Sequence, residues 1–145
     1  MDWRHRITKT SIKMKKVLTI LSVALIVLAT SCKDESQGEI KLVTPEEMQT
    51  LLEQKDVQLV DVRTPKELED GFIDNAQNID FNSPTFDEDI LKLDKSKPVV
   101  LYCKSGGRSA KCAEKLQAAG FIKIFDLDGG ITKWKFKGFK IQTEN

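Results

Sequence analysis

Histidine is almost missing from this chain. Its only one, His5, sits close to the start, and if that segment is removed the remainder has none. A body without imidazole excludes a His-supported metal site and a Cys-His catalytic dyad. A dominant charge of one sign is missing too, since 23 Lys and Arg face 22 Asp and Glu. Residues 1–31 hold six of the basic residues and one acid, Asp2, which leaves 17 basic against 21 acidic residues beyond them, a net charge of −4. With no basic stripe or run in that body, the composition gives no footprint for a nucleic-acid partner. No apolar run reaches the roughly 20 residues that a membrane-spanning helix needs. Internal repeats and low-complexity tracts are likewise absent. What remains is 145 residues that are 40% hydrophobic, enough for one ordinary core.

The N-terminal third is organised differently from the rest. Met14-Lys15-Lys16 precedes a mostly apolar stretch from Val17 to Ala29, and Thr30-Ser31-Cys32 follows. A short basic region, a short apolar region and small residues form the pattern of a secretory signal peptide. Met14 is the better-placed start for such a signal. Leu28-Ala29-Thr30-Ser31-Cys32 resembles the lipobox of bacterial lipoproteins, in which the cysteine is lipidated and becomes the mature N-terminus. Ala29 departs from the leucine usual three residues before that cysteine. Ordinary cleavage, leaving Cys32 a free thiol, is the competing reading. Lys33 to Glu39 is polar and reads as a flexible tether with a reach of about 15 Å. The expected divisions are 1–31 as extension and signal, 32–39 as lipidated cysteine and tether, and 40–145 as the folded domain. The resemblance implies an exported protein held at a membrane through its lipid, on the periplasmic side or at the cell surface.

Within 40–145, helix and strand patterns alternate. Thr44-Pro45-Glu46-Glu47 and Thr64-Pro65-Lys66-Glu67 each place a capping threonine, a first-turn proline and a reciprocal glutamate. Val57 to Val62 has the β-branched content of a strand, Ala76 to Ile79 a weaker one, and Phe86 to Leu93 a helical pattern. Val99-Val100-Leu101-Tyr102 suits a central strand buried on both faces. Helical spacing runs from Ser109 to Ala119 and stops at Gly120, Ile122 to Leu127 returns as a strand, and a last helix carries Trp134. Such alternation predicts an α/β domain with a mainly parallel sheet. Ligands of parallel sheets bind at the carboxyl ends of the strands, and Cys103 stands at one.

The stretch Cys103-Lys104-Ser105-Gly106-Gly107-Arg108-Ser109-Ala110-Lys111-Cys112 admits three readings. As a metal clip its cysteines are too far apart for a structural zinc pair, and the body offers neither a third cysteine nor a histidine. As a disulfide it suits an oxidising compartment, yet helical spacing puts Cys112 on the face of Leu116 and Ala119, as a small buried hydrophobe. As a nucleophile, Cys103 precedes a Gly-Gly turn that lets successive amides converge on its sulfur. The helix that follows points its positive end there, and Lys104 and Arg108 add charge. These conditions lower a thiol pKa without a histidine base.

Tyr102 to Ala110 resembles the active-site loop of single-domain rhodanese-like sulfurtransferases. Val60-Asp61-Val62-Arg63, Gly71-Phe72-Ile73 with Ala76-Gln77-Asn78-Ile79, and Asp126-Leu127-Asp128-Gly129-Gly130-Ile131 with Trp134 resemble further segments of that family, in order. Phe72 stands where the family often has histidine, and Asp74-Asn75 where it has Pro-Gly. The resemblance implies a three-layer fold: a five-stranded, mainly parallel sheet with helices on both faces. It implies Cys103 as the catalytic residue that carries sulfane sulfur as a persulfide. Lys104, Ser105, Gly106, Gly107, Arg108 and Ser109 then form the cradle around it, and Asp61 and Arg63 support the loop or simply pair with each other. The implied partners are a small anionic sulfur donor such as thiosulfate and a thiol or cyanide-like acceptor, with no cofactor and no metal. Phosphatases of the same architecture place five residues between cysteine and arginine. The four between Cys103 and Arg108 make a cradle better sized for sulfur. A non-enzymatic partner-binding module and a Cys103/Cys112 redox pair also compete with the enzymatic reading.

Overall fold

The computed structural model describes residues 38–143. His5, the signal-like stretch and Cys32 lie outside the described residues. In chain order the elements are β1 (Glu39–Val43), α1 (Pro45–Leu52), β2 (Gln58–Asp61), α2 (Pro65–Leu68) and β3 (Gln77–Asn78). There follow α3 (Phe86–Ile90), β4 (Val99–Tyr102), α4 (Gly107–Ala118), β5 (Lys123–Leu127) and α5 (Gly130–Phe136). The strands form one sheet of order β1-β5-β4-β2-β3, and every pairing is parallel.

β4 occupies the middle, and all four of its residues are buried. Successive side chains of a strand point to opposite faces. Val99 and Leu101, with Cys103 just beyond, therefore pack with Phe86 and Ile90 of α3 and Cys112, Ala113 and Leu116 of α4. Val100 and Tyr102 pack on the other side with Met48 of α1 and Ile131 and Trp134 of α5. Two apolar layers flank one sheet, which is the three-layer α/β fold expected.

Both threonine caps form as reciprocal boxes: Thr44 with Glu47, and Thr64 with Glu67. Each satisfies two otherwise orphaned amides at a helix start, worth about 1 kcal/mol for the cap itself. α4 ends on Gly120, whose φ of +90° suits glycine. The Gly120 amide donates to the Gln117 carbonyl and the Phe121 amide to that of Leu116, closing the helix and turning Phe121 into the core.

The structure departs from the sequence reading at β1, the end of the tether, α3, β3 and the start of α4. β1 carries no strand pattern, because four of its five residues are not buried and only Val43 is buried in the core. Glu39, counted with the tether, is its first residue and donates its amide to Ile122 at 2.8 Å. Gly38 is held as well, since a Cβ there would lie 1.7 Å from the Phe121 carbonyl oxygen. α3 is shorter than the Phe86–Leu93 pattern, and β3 is reduced to two residues on the sheet edge. α4 begins at Gly107, two residues before Ser109, because Gly107 takes the first helical position and Gly106 caps it.

Candidate active site

β4 delivers Cys103 to the carboxyl edge of the sheet, and the chain then has three residues before α4 begins. Gly106 takes φ +105°, a conformation L side chains rarely adopt, and serves as the N-cap of α4. A glycine cap brings no side-chain acceptor for the first-turn amides, which normally claim one. The sulfur of Cys103 fills that role. The Gly106 amide donates to Sγ at 3.1 Å, and the Ser109 hydroxyl lies 3.6 Å from it. Burial raises the Cys103 thiol pKa, but the Ser109 amide and hydroxyl and the Ser105 and Gly106 amides outweigh it, so the net shift is downward. The thiolate is favoured by neutral dipoles together with the positive end of α4.

The loop is held from behind by α5. The Ile131 amide donates to the Cys103 carbonyl at 2.9 Å. The Thr132 amide and hydroxyl both donate to the Lys104 carbonyl, at 3.1 and 2.8 Å. Because a trans peptide is planar, turning the Lys104 carbonyl toward α5 turns the Ser105 N–H the opposite way, toward the sulfur. Gly130 makes this approach possible, as a Cβ there would fall 2.5 Å from the Cys103 carbonyl oxygen.

The cationic side chains act differently from expectation. Lys104 contributes its carbonyl to the loop, while its exposed side chain borders a small cavity shared with Arg63, Glu67 and Thr132. Arg108 is drawn to Cys103, but its guanidinium is clamped by Glu67 through two bonds of 2.6 and 2.7 Å. Bonds to Arg108 hold the Glu67 carboxyl at about 2, well below the usual carboxylate range, despite the opposing effect of burial. Of the expected cradle amides, those of Ser105, Gly106 and Ser109 act on the sulfur.

Asp61 and Arg63 form a buried pair, with Nε 2.9 Å from both carboxylate oxygens and Nη2 2.5 Å from Oδ2. Arg63 also donates to the carbonyls of Glu67 at 3.0 Å and Gly71 at 3.0 Å, and Asn78 donates to the Arg63 carbonyl at 2.8 Å. The pair thus fixes α2 and the turn after it, and meets the cradle only indirectly, through Glu67. Phe72 takes part through its backbone, which exchanges bonds of 2.8 and 2.7 Å with Gln142. Cys112 is fully buried in the face of α4 against the sheet, where burial pushes its thiol up to about 12. Cys103 and Cys112 are both free thiols.

In the sequence Glu67 reads only as a capping residue, and nothing local singles out Ile131 and Thr132. Glu67 caps α2 and clamps Arg108 with the same carboxylate. Its second partner stands 41 positions away, and no local spacing signals that.

The rhodanese-like domain family matches residues 44–137. An uncharacterised Bacillus subtilis protein, YqhL, is 33% identical over 118 residues, covering 81% of this chain and 90% of its own. The thiosulfate sulfurtransferase GlpE of Pseudomonas syringae is 36% identical over 97 residues, 67% of this chain and 89% of that protein. Among solved structures, a rhodanese-related protein of Thermoplasma volcanium superposes with a TM-score of 0.65 at 30% identity, covering 72% of this chain and 99% of its own.

Proposed function

The chain belongs to the rhodanese-like domain family, and on that premise we propose that it is a sulfurtransferase working through a Cys103 persulfide. The observation that carries this reading is the sulfur of Cys103 seated as the acceptor at the start of α4, with the Gly106 amide at 3.1 Å. The Cys103 thiolate attacks the outer sulfur of an anionic donor such as thiosulfate. A new S–S bond forms, the donor's own S–S bond breaks, and sulfite leaves with the electron pair. The resulting persulfide anion extends the sulfur one atom outward into a ring of N–H donors suited to negative charge. A thiol or cyanide-like acceptor then attacks that outer sulfur, and Cys103 departs as the thiolate it began as. No cofactor takes part.

With thiosulfate and cyanide the protein should form thiocyanate, and thiosulfate alone should add one sulfur, about 32 Da, to Cys103. Cys103→Ser should abolish both. Absence of turnover and of persulfide with several donors would overturn the reading in favour of a partner-binding module. The lipobox-like Leu28-Ala29-Thr30-Ser31-Cys32 supports a further proposal, that lipidated Cys32 holds this domain at a membrane face outside the cytoplasm. Labelling with a fatty-acid precursor that persists in Cys32→Ser would refute it.

A further inference from the structure

Beside the cradle lies a cavity of about 90 Å³ that has no place in the sulfur-transfer scheme. Its walls come from three parts of the chain: Arg63, Glu67 and Asp70 around α2, Lys104 of the cradle loop, and Thr132 and Lys135 of α5. A space of that size holds roughly six water-sized atoms. Lys104 is both the neighbour of Cys103 and part of the cavity wall, so cavity and cradle adjoin.

The charges around this cavity do not cancel. Arg63 is balanced by its buried partner Asp61, and Glu67 by Arg108. Lys104 and Lys135 then face Asp70, two cations against one acid. Among the described residues neither lysine pairs with a carboxylate, and Lys135 donates to the Asp70 backbone carbonyl at 2.6 Å. Arg63 adds a directional donor. A guanidinium has five N–H groups. Nε and one Nη2 N–H go to Asp61, the second Nη2 N–H to the Gly71 carbonyl, and one Nη1 N–H to the Glu67 carbonyl. The fifth, on Nη1, has no partner among the described residues, although Arg63 is only 2% exposed and lines the cavity. A buried donor left unpaired is costly, so the site calls for an acceptor.

We propose that this cavity is a subsite for the carboxylate of an organic thiol, the acceptor in sulfur transfer, with Lys104, Lys135 and the fifth Arg63 N–H as its donors. Thiosulfate carries its charge on the group bonded directly to the sulfur it gives up, and cyanide is diatomic. Neither extends from the cradle into a neighbouring cavity. A thiol whose carboxylate lies a few bonds from its sulfur does. Holding that carboxylate keeps the acceptor's sulfur beside the persulfide, which converts an encounter into a positioned attack. The thiol, its proton released to solvent, attacks the outer sulfur of the persulfide. A new S–S bond forms, the bond to Cys103 breaks, and the electron pair returns to Cys103. The choice of acceptor rests on the sulfur-transfer reading, whereas binding of a carboxylate in the cavity does not.

The test compares 3-mercaptopropionate with 3-mercaptopropionamide as acceptors of thiosulfate sulfur in the full chain, following sulfite release. The two thiols differ in the carboxylate alone. The acid should show the higher kcat/KM. Lys135→Gln should lower that value about three- to five-fold and leave turnover of the amide and of cyanide unchanged. Lys135→Arg, which keeps the charge, should restore it. Equal losses with acid and amide, or no loss with the acid, would overturn the proposal. A second measurement needs no turnover. In Cys103→Ser the backbone amide resonances of Thr132 and Lys135 should shift on titration with 3-mercaptopropionate and saturate at about three- to five-fold lower concentration than when Lys135→Gln is added. The same shifts with the amide at equal concentration would refute a carboxylate subsite. A protein inactive in sulfur transfer that still showed the acid-selective shifts would refute the sulfur-transfer reading and uphold the subsite.

Discussion

Gly129 and Gly130 are neighbours with nearly the same backbone, at φ +71° and +58°, yet alanine should affect them very differently. At Gly130 the added carbon would lie 2.5 Å from the Cys103 carbonyl oxygen and 2.7 Å from the carbonyl carbon and oxygen of Lys104. Comfortable heavy-atom separations are about 3.5–4 Å, so the backbone has to yield by about 1 Å. Left-handed strain costs about 1 kcal/mol and overpacking about 1–3 kcal/mol. Together these make Gly130→Ala about 2–4 kcal/mol less stable, a melting point lower by roughly 10–25 °C for a domain this size. The displaced atoms are the carbonyls that aim the Ser105 N–H at the sulfur, and a misplacement of about 1 Å can cost about 100-fold in rate. At Gly129 the added carbon meets Lys133, the nearest atom being its Cβ at 2.7 Å, which the α5 backbone holds in place, and none of the cradle carbonyls. Gly129→Ala should likewise lose about 2–4 kcal/mol to strain and overpacking, but keep most of its activity in the folded protein. Thermal unfolding by circular dichroism and thiocyanate formation measure the two effects. If both folded variants turned over alike, α5 would not hold the cradle as described.

Glu67 predicts a pH dependence. Its folded pKa is depressed, so its contribution is complete above the unfolded value near 4.5 and is lost as pH falls from there toward about 2. Urea midpoints should show wild type losing about 2 kcal/mol more than Glu67→Gln across that window, and parallel losses would refute the clamp. Cys112→Ala should cost about 1 kcal/mol in stability and leave sulfur transfer unchanged. Peptide mapping after oxidant treatment should find no Cys103–Cys112 link, and a linked pair would revive the redox reading.

Central strands and caps were legible in the residues because their signals are local. Val99 to Tyr102 is apolar on both faces, and each threonine finds its glutamate three positions on. β1 was not legible, because an edge strand with exposed side chains is defined by its partner β5 and not by its own pattern. The cradle was readable down to the glycine turn and Cys103. The amides that pull on the sulfur were readable from the Gly-Gly turn as well, whereas the Ser109 hydroxyl and the pairing of Arg108 with Glu67 were not. Arg108 and Glu67 illustrate the general reason. Formal charge is visible in a sequence, but its neutralisation by a residue 41 positions away is a property of the fold.

The strand order also bears on the sequence of events by which the molecule assembles. β1 bonds only to β5, across 84 positions from Glu39 to Lys123, and the cradle's carbonyls are received by Ile131 and Thr132, later still. Closing so distant a pair is slow compared with local helix formation. A chain made from its N-terminus therefore carries Cys103 for some time before the residues that shape its surroundings exist. The acidic, poised form of this thiol is a property of the finished molecule, switched on by its last helix.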